Sequence, residues 1–182
     1  MVREKTGYVY GIDRDDRIRF VSPEWVQFAE ENDAKDLQPH SVVGRVLWRF
    51  IAGDETQQVY RVLFSKIRED RRTRTVPFRC DGPLVRRSME MEVSASDEGG
   101  LELTGVLVRE EPREAVPLLD ASTPRTGELL RMCAWCKRVS VEDEWLEVES
   151  AIVDLGLFEA SQLPQITHGI CKDCLGALRD HG

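Results

Sequence analysis

Two pairs of cysteines constrain how the C-terminal third of this chain can fold. They stand in the segments Cys133-Ala134-Trp135-Cys136 and Cys171-Lys172-Asp173-Cys174. Two intervening residues let both sulfurs of a pair point at one ion from a single tight turn, and four such ligands complete the tetrahedral coordination of zinc. The spacing therefore predicts one structural zinc ion, bound by Cys133, Cys136, Cys171 and Cys174.

The 34 residues between the two pairs make this module longer than a minimal zinc ribbon. The acidic run Glu142-Asp143-Glu144 is typical of a first helical turn. Apolar residues follow at helical spacing, so a helix is expected in the gap. The residues predicted to form its buried face are Trp145, Val148, Ile152 and Leu155.

A structural role for the ion follows from the ligand set. Four thiolates leave no open coordination position, which argues against metal catalysis. A module of this size buries too little apolar surface to be secure alone. Structural zinc supplies on the order of 10 kcal/mol of apparent folding free energy.

His168 lies three residues before Cys171 and could replace one cysteine as a ligand. In the alternative, it hydrogen-bonds near the site or caps the turn before the last helix. The second role is favoured because four cysteines already saturate the ion, and His168 stays a reserve ligand. Trp135, inside the first pair, is expected to be exposed and to contact a partner.

A thiol-based redox switch is the main alternative for the same cysteines, because thiolates that bind zinc can oxidise and release the ion. A fifth cysteine, Cys80, stands at the end of a predicted strand. It could sense oxidants, but a small buried filler is the more usual role of a lone cysteine.

Alternating polarity predicts strands at 7–13 and 17–21, joined as a hairpin by a polar turn. Ser22 is a typical N-cap, and Pro23 suits the first turn of the helix that follows. Residues 40–52 are predicted to form short helical turns.

Apolar residues recur at helical spacing over residues 55–69, where Asp54 and Gln57 resemble a capping box. Strands are predicted at about 73–80, 85–95 and 101–109. The order of elements predicts an α+β fold with a five-stranded antiparallel sheet and helices on one face.

This order resembles a PAS sensor domain over residues 7–110. The resemblance rests on Tyr10-Gly11-Ile12-Asp13 with Arg17-Ile18, on Val43-Gly44-Arg45, on the long helix and on the final meander ending near Glu110. It implies a sensory or protein-interaction module that is often dimeric. Its ligand stays open: the long helix lacks the histidine that usually binds haem in this family, His40 is expected to be exposed, and the flavin-binding motif is absent.

A second resemblance covers about residues 131–178. Residues 133–137, Trp145 and the segment Thr167-His168-Gly169-Ile170 before Cys171 are similar to the cysteine-rich tail of some bacterial PAS and receiver-type signalling proteins. The resemblance implies bacterial signal transduction. Lys172 departs from the pattern, where proline is expected, without affecting chelation.

The intervening residues have the composition of a linker, with three prolines between 112 and 128. The predicted organisation is therefore a PAS-like sensory domain at 1–111, a linker at 112–128 and a four-cysteine zinc module at 129–182.

Charge restricts the class of partner. The net charge of −8 divides into −3 for residues 1–112 and −5 for residues 113–182. Nucleic acid is therefore a less favoured partner, since counterion release requires a basic surplus. An arginine cluster could bind an anion, but interrupting acids favour a solvated loop. Its members are Arg68, Arg71, Arg72 and Arg74, which Arg86 and Arg87 could join across the sheet.

No apolar run approaches the roughly 20 residues of a membrane span, and the polar N-terminus does not resemble a signal peptide. A cytoplasmic protein is expected. We find no phosphate loop, nucleophile elbow or kinase motif, so an enzyme is not expected. The sequence thus predicts signal sensing or relay by protein contact, through a separate effector or a homodimer of the PAS-like domain. A group of aromatic residues could line a pocket, although core packing is favoured; it comprises Trp25, Trp48, Phe50 and Tyr60.

Overall fold

The computed structural model describes residues 7–31 and 34–180, and the N-terminal residues predicted not to be a signal peptide lie outside this part. Its first sheet has five antiparallel strands in the order β2-β1-β5-β4-β3. The α+β class and this five-stranded antiparallel sheet are as predicted. The strands are β1 (Gly7–Ile12), β2 (Ile18–Val21), β3 (Arg74–Arg79), β4 (Val85–Ala95) and β5 (Leu101–Pro112).

Three helices lie between β2 and β3 in the chain: α1 (Pro23–Glu31), α2 (Pro39–Val42) and α3 (Asp54–Asp70). The Oγ of Ser22 accepts the backbone N–H of Trp25 at 3.3 Å, which confirms the predicted N-cap. The apolar face of α3 packs in one core with alternate residues of the sheet, as period-3.6 and period-2 patterns require. That core includes Ile12, Leu63, Phe64, Ile67, Val93, Leu101 and Leu103.

The capping box predicted at the start of α3 is wrong. The N-cap is Gly53, with no side-chain capping bond. The amide of Gln57 instead donates to the carbonyls of Trp48 and Ile51 at 3.0 and 2.8 Å. Gln57 therefore ties the preceding turn to the helix.

A second sheet of four strands follows, in the order β8-β7-β6-β9. Strands β6 and β9 pair in parallel, and the other neighbours are antiparallel. The chain crosses from β8 to β9 through α4, and α5 follows β9. The bounds are β6 (Arg125–Cys133), β7 (Val139–Val141), β8 (Glu144–Leu146), α4 (Val148–Asp154), β9 (Leu163–Gly169) and α5 (Lys172–Asp180).

The helix predicted to begin at the acidic run is shorter than expected. Glu142 and Asp143 form the turn between β7 and β8, where Glu142 adopts a positive φ of 51°. A local hairpin takes these residues, because β7 pairs with β8 in antiparallel register from Val139 with Leu146 to Val141 with Glu144. Val148 and Ile152 are buried as predicted, whereas Leu155 is 39% exposed.

The segment predicted as a linker is partly built into the second sheet. Val116 and Leu118 are buried in the core that β6, β7, α4 and β9 share. Strand β6 begins at Arg125, inside the proline-containing stretch. The proline-containing segment thus forms a packed connection between the two sheets and not a free linker.

A buried network of charges joins the two sheets. The Asp81 carboxylate is fully buried and pairs with Arg79 and with Arg113, the latter at 3.0 Å. Arg79 also reaches Glu147 at 2.7 Å, just before α4. Buried charges persist only when paired, so this network fixes the β3–β4 connection against the second sheet.

The arginines considered as an anion site are largely paired with acids. Arg68 binds the Asp16 carboxylate at 2.7 Å, and Arg74 binds Asp70 at 2.6 Å. Across the sheet, Arg87 binds Glu110 at 2.6 Å. This arrangement does not form the anion site that was considered.

Three of the four aromatic residues considered as pocket lining, Trp25, Trp48 and Tyr60, pack against the core of the first sheet. Trp25 contacts Tyr10 with ring centroids 5.0 Å apart, and Trp48 contacts Phe64 at 5.7 Å. Phe50 is 37% exposed, and His40 is exposed as expected. Within the described part of the chain, no helix has the length and apolar character needed to cross a bilayer.

Gly53 provides a test of the junction between the sheets. Its φ is +87°, and a Cβ there would lie 2.5 Å from the carbonyl oxygen of His168 in β9. Gly53→Ala is expected to lower the free energy of unfolding by about 2–5 kcal/mol, because backbone strain adds to a steric clash. Urea unfolding measures the loss.

Gly44→Ala is the matched control. Gly44 has a φ of +81°, but among the described residues beyond its chain neighbours no atom lies within 4 Å of the position that an alanine methyl group would take there. Only the backbone strain of about 1–3 kcal/mol therefore applies. Equal losses in the two variants would contradict the close approach of β9 to the start of α3.

Candidate metal centre

The four cysteines are carried by the parallel pair β6–β9 and the turns that follow it. Cys133 ends β6 and pairs in register with Gly169, the last residue of β9. Cys136 lies in the turn after β6, and Cys174 lies in the first turn of α5. Parallel strands bring their C-terminal ends to the same edge, so both pairs meet there although Cys133 and Cys171 are 38 positions apart in the chain.

The four sulfurs lie within 4.8 Å of one another, and Cys136 Sγ is 3.6 Å from Cys171 Sγ. A tetrahedral ion with metal–sulfur bonds of about 2.3 Å would place its sulfurs about 3.8 Å apart. A disulfide would need about 2.05 Å, and the cysteines are free thiols. The donor set and its spacing therefore fit a bound metal ion.

Backbone groups donate to two of the sulfurs. The N–H of Cys171 reaches Cys133 Sγ at 3.4 Å, and the N–H of Cys174 reaches Cys171 Sγ at 3.4 Å. Hydrogen bonds to the charged form stabilise a thiolate. The turns thus orient the ligands and also favour the ionisation that metal binding requires.

Arg138 contacts the sulfur cluster, which the sequence did not predict. Its Nε donates to Cys136 Sγ at 3.3 Å, and its Nη2 lies 3.6 Å from Cys171 Sγ. The same Nη2 donates to Asp173 at 2.7 Å, which holds the guanidinium in place. Its position two residues after a ligand cysteine was a detectable signal, because a thiolate cluster needs nearby positive charge.

The thiols differ in their affinity for protons. Hydrogen bonds from the Cys136 and Cys174 thiols hold the pKa of Cys133 well below its usual value. The pKa of Cys174 is raised, because its thiol donates to Cys133 and Cys136. Proton retention by one thiol reflects the repulsion among four close sulfurs, which a cation would relieve.

The expectation that Trp135 is exposed is wrong. Its side chain is 4% exposed and contacts Tyr60 of α3 with ring centroids 5.6 Å apart. Its carbonyl accepts the Arg79 N–H at 2.6 Å, at the edge of β3. The first cysteine turn faces the first sheet, so burial of a large aromatic ring there outweighs its exposure to solvent.

His168 does not join the cluster of ligand atoms, which among the described residues consists of the four cysteines. It lies within β9, opposite Met132, and therefore does not cap the last helix. Burial lowers its pKa, and the positive charge of Lys137 lowers it further. The structure thus separates the reserve ligand from the sulfurs.

Cys80 also lies outside the cluster. It is half-buried, and burial raises the pKa of its thiol against the opposing charges of Lys137 and Arg87. A raised pKa lowers the thiolate fraction and so lowers reactivity toward oxidants. These properties favour the filler role over a sensing role.

Comparison of the chain with models of known protein families gave no match, and comparison with curated protein sequences gave none either.

Replacement of Arg138 tests its contribution to metal binding. Arg138→Ala is expected to weaken zinc binding by about 10- to 100-fold, the usual cost of losing a group that supports the ligands. Competition with a chelating dye measures the affinity. Arg109→Ala is the control, since Arg109 is exposed and pairs only with Glu111 among the salt bridges of the described residues. Equal zinc affinities in the two variants would show that Arg138 does not stabilise the thiolates.

Proposed function

We propose that this chain is a non-enzymatic signalling protein that relays information by protein contact, with one structural zinc ion bound by four cysteines. The observation that carries the proposal is the position of the four-sulfur cluster. It lies where the second sheet joins the core of the first, and Cys133, Trp135 and Cys171 belong to that core.

Zinc suits this site because four thiolates are soft ligands arranged for tetrahedral coordination. When bound, the ion would supply positive charge and a cross-link between two distant parts of the chain. Cys133, Cys136, Cys171 and Cys174 would occupy all four positions of a tetrahedral ion, so no position is left for a substrate or an activated water. This ligand set supports a structural role and not a catalytic one.

The sensory part of the proposal rests on the first sheet. We propose that residues 1–111 act as a PAS-like module in a bacterial, cytoplasmic signalling system, through a homodimer or a separate effector. The five antiparallel strands with helices inserted between β2 and β3 are the arrangement expected from the sequence resemblance. The junction at Trp135 gives a physical route by which a change in this module would reach the metal centre.

Metal analysis of purified protein tests the structural site. Wild type is expected to contain one zinc per chain, and Cys171→Ser is expected to contain none. Because the cysteine turns share the core of the first sheet, loss of zinc should destabilise both sheets and lower Tm by about 10 °C or more. Thermal unfolding followed by tryptophan fluorescence reports this change.

Cys80→Ser is the matched control, since Cys80 lies outside the sulfur cluster. It should retain zinc and a Tm close to that of wild type. Metal-free protein from an anaerobic preparation, with disulfides that form and reduce reversibly, would contradict the structural site. That result would favour the redox switch, for which the half-buried Cys136 and Cys174 would be the accessible thiols.

Relay by contact requires a defined complex. Cross-linking in cells of the source organism should identify a partner, and the purified partner should form a stoichiometric complex with the zinc-bound chain. Cys80→Ser should bind as wild type does, whereas Cys171→Ser should bind weakly because its fold is disturbed. Analytical ultracentrifugation measures both, and failure to reconstitute any complex, with itself or with another protein, would contradict relay by contact.

A further inference from the structure

An apolar groove lies on the second sheet, away from the cysteine cluster. It runs between residues 114–118 and α4, and its volume is about 420 Å³. A volume in the range of about 300–1,000 Å³ is typical of binding sites. The large apolar side chains that line it include Leu118, Ile152, Val153, Leu157, Phe158 and Leu163.

Two of the lining residues are highly exposed to solvent. Phe158 is 85% exposed, and Val153 is 68% exposed. Single exposed apolar residues are ordinary, but a contiguous group beside a groove marks an interaction site. Phe158 has the size and position of an anchor for the apolar side of a partner.

The groove lies in a strongly acidic part of the chain. Residues 139–167 contain seven carboxylates and no lysine or arginine. Two acids, Glu114 and Glu149, line the groove itself. Asp154 and Glu159 each follow a lining residue in the chain, and both are exposed.

The protein neutralises part of this charge, at one end of the groove. Arg113 and Arg86 lie at one end, where they pair with Glu149 and Glu147. Arg113 is also committed to Asp81. Within the described part of the chain, Glu114, Asp154 and Glu159 form no ion pair.

We propose that this groove binds a basic amphipathic segment of a partner protein. Large apolar side chains of that segment would pack on Phe158 and Val153, and its lysines or arginines would face the acidic rim. A second copy of the chain is a poor occupant, because a symmetric contact would oppose the same acidic surfaces. The proposal rests on the proposed function, for which it supplies the contact surface and the chemistry of the partner.

Synthetic peptides test the charge requirement on the full chain. The probe is a 15-residue peptide of leucines and lysines at amphipathic helical spacing, and its counterpart carries glutamate at every lysine position. The lysine peptide should shift the amide signals of residues 152–158 in NMR spectra, with affinity that falls as salt rises. The glutamate peptide should bind at least tenfold more weakly. Equal binding of both peptides, or shifts confined to other residues, would overturn the proposal.

Phe158→Ala tests the apolar anchor and should weaken binding of the lysine peptide at least tenfold. Leu129→Ala is the matched control, because Leu129 is 69% exposed and lies outside the lining of the groove. It should bind as wild type does. Since Phe158 is already exposed, its replacement should leave the fold intact, and equal affinities in the two variants would overturn the anchor role.

Measurements of zinc content and of sedimentation distinguish failure of the groove proposal from failure of the proposed function and from self-association. Retained zinc with no binding of the lysine peptide would overturn the groove proposal alone, whereas loss of the metal site would overturn the proposed function by itself. A dimer of wild type that Phe158→Ala dissociates would overturn the basic partner in favour of a second copy.

Discussion

Trp135 ties the cysteine cluster to the five-stranded sheet, and the joint packing of the two sheets depends on that contact. Its ring packs on Tyr60 while its carbonyl accepts the Arg79 N–H. Edge strand β3 is thereby engaged at one end by the first cysteine turn, which protects part of an otherwise open edge. The indole N–H has no hydrogen-bond partner among the described residues.

Electrostatics organise the same junction. A divalent ion with four thiolates carries a net charge of about −2, and positive groups gather around the sulfurs. Arg138 contacts two of them. Lys137 is partly buried and its ammonium donates to the Ala134 carbonyl at 2.9 Å; burial lowers its pKa, while the charges of Cys80, Asp81 and Cys133 oppose that shift. The buried Asp81 network provides a second set of paired charges nearby. Cations thus concentrate at the junction, whereas residues 139–167 carry acids alone.

Local patterns in the sequence predicted much of the fold. The hairpin β1–β2, helix α3 and the meander β3–β5 each follow from periodicity within one segment, and the ligand cysteines follow from their spacing. The errors concern residues whose environment is set by distant parts of the chain. Trp135 is buried by α3, and the parallel register of β6 with β9 joins strands far apart in sequence. Neither contact leaves a local pattern.

Short elements were the other source of error. Strands β7 and β8 contain three residues each. Three residues are too few to show the alternation of apolar and polar side chains that indicates a strand, so the acidic run was interpreted as the start of a helix. The role of Arg138 was missed for a related reason. Its position two residues after Cys136 indicated a nearby positive charge, but only the fold shows that its guanidinium contacts sulfurs of both cysteine pairs.

The parallel pairing of β6 and β9 makes residues 139–167 an excursion that leaves the metal ligands and returns to them. Its strands and one face of α4 build the second sheet and its core, and Glu147 joins the charge network at the junction. The loop between α4 and β9 has no such role, so changes in its length would cost little: doubling a loop costs only about 0.6 kcal/mol in closure entropy. The cluster therefore cross-links the two ends of this segment, so that substitutions on its outer surface would leave the junction between the sheets intact.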